Sequence, residues 1–139
     1  MKTTFLILSL LIVLTSCEIE GDLTKNELRS TTISDSSELK FQGVFSPTSG
    51  ITVAGGPKVY QNGNQFQLKL DGFSISSGPD LKVYLSKSDS PTEFVNLGNM
   101  VPTAVYSIPQ QVNLNEYKYV LIHCQQYNHL FAIALLNEI

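Results

Sequence analysis

From Glu38 onward, the chain is built of short runs in which apolar and polar residues alternate. Residues 65–70 are the clearest case, because Phe66, Leu68 and Leu70 fall on one face. Such alternation is typical of a half-buried β-strand. The runs recur about every ten residues, divided by Gly, Pro, Asn, Asp and Ser, as in β-sandwiches. We predict strands within residues 39–45, 51–53, 58–60, 65–70, 81–85, 94–97, 104–108, 119–124 and 131–136. The predicted fold class is all-β, an antiparallel β-sandwich of about eight to nine short strands.

Turn residues mark the boundaries of several runs. Asn62-Gly63 is the strongest short hairpin signal in the chain. Residues 55–57, Gly-Gly-Pro, are predicted to separate the runs on either side of them. Gly78-Pro79-Asp80 is predicted to turn into the next strand, since Pro fixes φ and the Asp side chain can bond nearby backbone amides.

The runs at 119–124 and 131–136 are apolar on both faces. Strands buried on both faces have this pattern, so we predict that these two are central in their sheet. Because successive side chains of a strand point to opposite faces, the side chains of residues 119–124 form two sets. One face carries Val120, Ile122 and Cys124, and the other carries Tyr119, Leu121 and His123.

The first residues have the pattern of a bacterial lipoprotein signal. Lys2 precedes an apolar run at residues 5–14, which is short of the roughly 20 residues that span a membrane. Residues 14–17, Leu-Thr-Ser-Cys, then match a lipobox, in which the Cys sulfur receives a diacylglycerol. We predict a signal peptide at 1–16, lipidation of Cys17, a flexible tether at 17–37 and a folded domain at 38–139. The predicted location is the bacterial cell envelope, lipid-anchored to a membrane and facing the periplasm or the cell surface.

Composition excludes several classes of function. The formal net charge is −3, so the chain has no basic surface for nucleic acid. No paired-carboxylate motif, nucleophile elbow or phosphate-binding Gly loop is present, which favours a protein that is not an enzyme. The hydrophobic fraction of 42% is enough to fill a core, which argues against a disordered chain.

Cys124 is the first candidate for chemistry. If Cys17 carries lipid, Cys124 is an unpaired thiol in an oxidising compartment. Three interpretations stay open: a buried, inert Cys, a redox or cofactor-ligating thiol, and an intermolecular disulfide. Reactive thiols are exposed and lie near positive charge. Val120 and Ile122 on the same face favour burial instead.

Two histidines and one carboxylate are weaker candidates for cofactor binding. His123 and His129 flank a predicted turn, and Asp80 lies in another turn. With Cys124 they offer donors for a metal or a haem iron, although their spacing specifies no zinc site. The chain has no CxxCH motif, which excludes c-type haem attachment. Six tyrosines are candidates either for stacking on sugars or for ordinary strand positions: Tyr60, Tyr84, Tyr106, Tyr117, Tyr119 and Tyr127.

From about Leu39 to Leu136 the chain resembles the DM-thirteen domain, often labelled an electron-transfer domain. The matching stretches are 41–43, 50–53, 70–73, Gly78 to Leu85, 97–100, 106–109, 117–124 and 131–134. The family occurs in bacterial secreted proteins and lipoproteins, and elsewhere beside domains that bind haem or sugar. Its characteristic Cys falls on Cys124. The resemblance implies a redox role through this thiol and a redox or envelope protein partner. The alternative is a non-catalytic envelope module that binds a sugar or a protein, with a structural Cys124.

Overall fold

Residues 32–139, which the computed structural model describes, form ten β-strands and no helix. The predicted signal peptide, Cys17 and the first part of the predicted tether lie outside the described residues. Within residues 32–139 no helix is long and apolar enough to cross a membrane. The strands are β1 Glu38–Gln42, β2 Ser46–Pro47, β3 Val53–Asn62, β4 Gln65–Ile75, β5 Leu81–Ser86, β6 Phe94–Asn99, β7 Val105–Ile108, β8 Tyr119–Cys124, β9 His129–Leu135 and β10 Asn137–Glu138.

The strands form two antiparallel sheets of five strands each, which confirms the predicted β-sandwich. Sheet 1 has the order β10-β1-β3-β4-β7, and sheet 2 has the order β2-β9-β8-β5-β6. Two of the connections between the sheets lie close together at one edge. The chain leaves β1 for β2 through residues 43–45, and it leaves β9 for β10 through Leu136.

Alternate residues of both sheets fill the space between them, as the two-residue period requires. Val59 and Leu68 face each other across β3 and β4, and Val83 and Ile122 do so across β5 and β8. All four side chains are fully buried. Burial of these apolar side chains is the main source of the free energy that stabilises the sandwich.

The outer faces of the two sheets differ in chemistry. On sheet 1, Lys58 pairs in register with Lys69 and forms an ion pair of 2.8 Å with Asp71. The corresponding row of sheet 2 runs from Tyr84 through Leu121 to Ile133. Sheet 1 therefore presents charge outward, whereas the outer face of sheet 2 carries large apolar side chains.

One of the predicted strand boundaries is wrong. Residues 55–57 do not separate two strands, because β3 continues through them with a bulge between Ala54 and Gly56 in its pairing with β4. Gly55 takes a φ of 80° there, a conformation that glycine adopts without strain. The hairpin at Asn62-Gly63 is confirmed, although Asn62 pairs with Gln65 and the two turn residues are Gly63 and Asn64.

The burial prediction for the last two long strands is confirmed for one of them. In β8, every side chain from Val120 to Cys124 is buried. In β9, Ile133 is only half-buried and Leu135 is exposed. Both side chains lie on the outer face of sheet 2, and β2, the neighbour of β9 on this side, pairs only with Ala132 and Ile133.

Glycine allows the backbones to meet where the chain crosses between the sheets. A Cβ on Gly43 would lie 2.5 Å from the Leu135 carbonyl oxygen, and a Cβ on Gly56 would overlap the Gly43 carbonyl oxygen. The Gly43 N–H donates a hydrogen bond of 2.9 Å to the Pro57 carbonyl. A larger side chain at position 43 or 56 would force the crossing segment away from both sheets.

Candidate functional site

Cys124 is the last residue of β8, and it lies in the hydrophobic core. Its register partners are Leu81 on β5 and His129 on β9. Its exposed fraction is 0%, and its thiol is free. The structure thus places it on the inner face with Val120 and Ile122, as the alternation predicts. No part of the sulfur is open to solvent in this conformation.

His123 lies on the opposite, outer face of β8 and is also buried. Its Nε2 lies 3.2 Å from Asn128 Oδ1, and its Nδ1 is buried without a hydrogen-bond partner. The imidazole ring of His123 stacks on the ring of Tyr84, with centroids 5.4 Å apart, and Tyr84 in turn stacks on Phe94, with centroids 4.1 Å apart. Burial lowers the pKa of His123 and raises the pKa of Tyr84, so both rings are neutral at pH 7.

The Asp80 carboxylate is engaged in an ion pair. It forms an ion pair of 2.7 Å with Lys82, whose ammonium also contacts Asn99. The Asp80 carbonyl accepts a hydrogen bond of 3.0 Å from the Gln125 N–H. This bond ties the predicted turn at 78–80 to the end of β8, so the turn helps to close the core above Cys124.

His129 is exposed, and its ring makes a T-shaped contact with the ring of Phe131, with the two centroids 5.3 Å apart. It lies opposite Cys124 in the register of β8 and β9. Over residues 32–139, no three His, Cys, Asp or Glu side chains come together as a metal site would require. The structure therefore does not assemble the candidates Cys124, His129 and Asp80 into one ligand set.

The complete burial of Cys124 limits the reactions that its thiol can undergo. Disulfide exchange requires that a thiolate sulfur and a disulfide sulfur come into contact. Leu81 and the end of β9 lie on either side of Cys124 in sheet 2, and the core fills the space above it. Exchange at Cys124 therefore requires an opening of the strand end.

The sequence pattern did not predict a groove at the edge where the chain crosses between the sheets. The groove has a volume of about 690 Å³. It opens beside β9, where Ile133, the register partner of Ser46 on β2, and Leu135, which has no partner on β2, line it. Its lining residues are Gln42, Gly43, Val44, Ser46, Asp89, Tyr119, Ile133, Leu135 and Asn137. The only sequence signal was the presence of Tyr119 among the candidate sugar-stacking tyrosines.

Comparison with known families gives one match. The family model described as Electron transfer DM13 matches residues 45–136. The chain belongs to the DM13 family. The matched DM13 region runs from the residue before β2 to the residue after β9, so it includes Asp80, His123, Cys124 and His129. No curated protein and no solved structure matches the chain. The strands β1 and β10 lie outside the DM13 match.

Proposed function

We propose that this protein is a lipid-anchored DM13 domain of the bacterial cell envelope that takes part in electron transfer through Cys124. The observation that carries the proposal is the match to the Electron transfer DM13 family over residues 45–136. The lipobox at residues 14–17 supports the anchor. Within residues 32–139 Cys124 is the one cysteine, so it is the thiol that such chemistry would use.

The proposed step is an exchange with a disulfide of an envelope protein. The Cys124 thiol loses its proton to solvent, and the thiolate attacks one sulfur of the partner disulfide. A bond forms between Cys124 and that sulfur, and the second partner sulfur leaves as a thiolate. Because Cys124 is fully buried, the step follows an opening of the end of β8, where the turn at 78–80 meets Gln125.

The second candidate function is a non-catalytic binding module of the envelope. The complete burial of Cys124 favours this alternative, because a small apolar side chain in a core needs no further role. In that case the thiol contributes packing only, and the family label describes other members of the DM13 group.

Exchange with a disulfide reagent separates the two candidates. The Cys17→Ser chain is incubated with oxidised glutathione and with a peptide disulfide, and mixed disulfides are counted by mass spectrometry. Under the electron-transfer proposal, a mixed disulfide forms at Cys124 faster than global unfolding exposes the thiol. Replacing Cys124 by Ala abolishes it, and His129→Ala, a matched change on the neighbouring strand, leaves it intact. Exchange no faster than unfolding supports the binding module.

A visible absorption spectrum and a metal analysis of the purified full chain test the cofactor question directly. A stoichiometric chromophore or metal would transfer the electron-carrying role from the thiol to that group. For the anchor, Cys17→Ser should stop processing or release the chain from membranes. A processed Cys17→Ser chain that still sediments with membranes would contradict the lipoprotein assignment.

A further inference from the structure

The groove at the sheet edge has an apolar floor. Ile133 and Leu135 come from the outer face of β9, and Tyr119 lies in register with Leu135 on β8. Val44, on the segment that crosses between the sheets, is 76% exposed at the rim. Large apolar side chains are rarely left open in this way without a partner when they form one continuous surface.

Polar side chains border this floor on two sides. Gln42 and Asn137 are register partners across β1 and β10, so two amides stand side by side. Asp89 borders the other side, and within residues 32–139 its carboxylate has no ion pair or hydrogen bond. The amide N–H groups donate, and the amide and carboxylate oxygens accept.

The loop that carries Asp89 is held in place by its own bonds. Ser86 Oγ donates hydrogen bonds to the carbonyls of Ser90 and Glu93, at 3.0 and 3.2 Å. Lys87 forms an ion pair of 2.9 Å with Glu93 at the base of the loop. A loop fixed in this way orders its polar group before a ligand arrives, which lowers the entropy lost on binding.

These features match one class of ligand. A pyranose ring has an apolar C–H face that stacks on an aromatic ring and equatorial hydroxyls that bond to planar amides and carboxylates. Asp89 is the one charged side chain among the lining residues, so the groove offers no positive charge to an anionic ligand. The volume of about 690 Å³ is in the range of sites for small ligands and fits a short glycan better than a flat protein surface.

We propose that the groove binds a neutral glycan, with Tyr119 as the stacking platform and Asp89, Gln42 and Asn137 as its polar contacts. The glycan site uses no thiol, so it does not rest on the electron-transfer proposal. Gln42 to Val44 and Asn137 lie outside the matched DM13 region, so this part of the site is a feature of this chain and not of the family match.

The test is a titration of the purified full chain with cellotriose, maltotriose and tri-N-acetylglucosamine, followed by ligand-observed NMR and calorimetry. At least one of them should bind saturably. Tyr119→Ala should weaken that binding about tenfold, which corresponds to the energy of an aromatic stacking contact. Tyr119→Phe should retain it, and Asp89→Ala, a change in an exposed side chain, should weaken it without affecting folding.

Tyr127→Ala is the matched control, because Tyr127 is exposed on the β8–β9 turn outside the groove. It should leave binding unchanged. The proposal is overturned if none of the three oligosaccharides binds at millimolar concentration, or if Asp89→Ala and Tyr119→Ala bind as the parent does. A sugar-insensitive dimer that Val44→Asp dissociates would also overturn it, and would assign the groove to a second copy of the chain.

Discussion

The burial of Cys124 gives a quantitative prediction for the reaction of its thiol in the native protein. The perturbation is a chromogenic disulfide reagent, added to the Cys17→Ser chain so that Cys124 is the one thiol. Because the side chain is 0% exposed and β8 lies between β9 and β5, the sulfur becomes accessible only when the sheet opens. Domains of ordinary stability unfold at a cost of about 5–15 kcal/mol.

At the lower end of that range, the open fraction is on the order of 10⁻⁴, since each 1.4 kcal/mol is a factor of ten. If global unfolding were the route to the thiol, labelling of the native protein would be about 10³ to 10⁴ times slower than labelling in denaturant. The electron-transfer proposal requires labelling faster than this limit, with a weaker dependence on urea than global unfolding, because opening the end of β8 exposes less surface. A rate that rises with urea in parallel with global unfolding would support the binding module. An exposed thiol introduced by Ser107→Cys on β7, in a chain that lacks Cys124, should react without this protection.

Substitutions at the same position give an independent measure. Cys124→Ala should lower the free energy of unfolding by about 1–2 kcal/mol through lost packing. Cys124→Ser should cost about 1–3 kcal/mol, because it buries a hydroxyl among apolar side chains. A native labelling rate within tenfold of the denatured rate, independent of urea, would refute this reasoning and would support a reactive thiol.

Three further predictions concern stability. Burial lowers the pKa of His123 below its unfolded value of about 6.5, so the neutral ring contributes to the free energy of unfolding above that pH. This contribution is lost as the pH falls below about 6.5. The urea midpoint should therefore fall less between about pH 7.5 and pH 5 in His123→Gln than in His129→Gln. Gly56→Ala should destabilise by more than about 2 kcal/mol, because its Cβ would overlap the Gly43 carbonyl, and a thermal midpoint equal to that of the parent would contradict so close an approach of the two backbones. Tyr106→Phe should lower the free energy of unfolding, measured in urea, by about 1–3 kcal/mol. The buried Tyr106 hydroxyl donates to the Asn99 carbonyl at 2.8 Å and accepts from the Val101 N–H at 2.8 Å. An unchanged urea midpoint would show that water replaces both hydrogen bonds.

The all-β architecture could be predicted from the sequence because the period of two is a local property. Residues 65–70 alternate between polar and apolar in the sequence, and they lie in β4 with Leu68 and Leu70 buried in the core and Phe66 packed against it. The Gly-Gly-Pro segment at 55–57 was misinterpreted for a local reason as well. Gly in a run signals either a turn or a bulge, and only the pairing of β3 with β4 decides between them.

The groove could not be predicted, since it depends on contacts between distant parts of the chain. Leu135 is apolar and continues a run that has the pattern of a buried strand. It is exposed on the outer face of sheet 2, beyond the two residues of β9 that pair with β2. For the same reason, the register pair of Gln42 and Asn137 has no signal in the sequence.

The pairing of β1 with β10 has a consequence for the order of folding. It joins Phe41 to Glu138, so the edge of sheet 1 closes between segments from opposite ends of the domain. Pairings of such long sequence separation form slowly, because much chain entropy is lost before any contact offsets it. The hairpin of β3 and β4 has only a two-residue turn to close and can form early. A chain that is synthesised or exported from its N-terminus therefore keeps this edge open until residues 137–138 emerge.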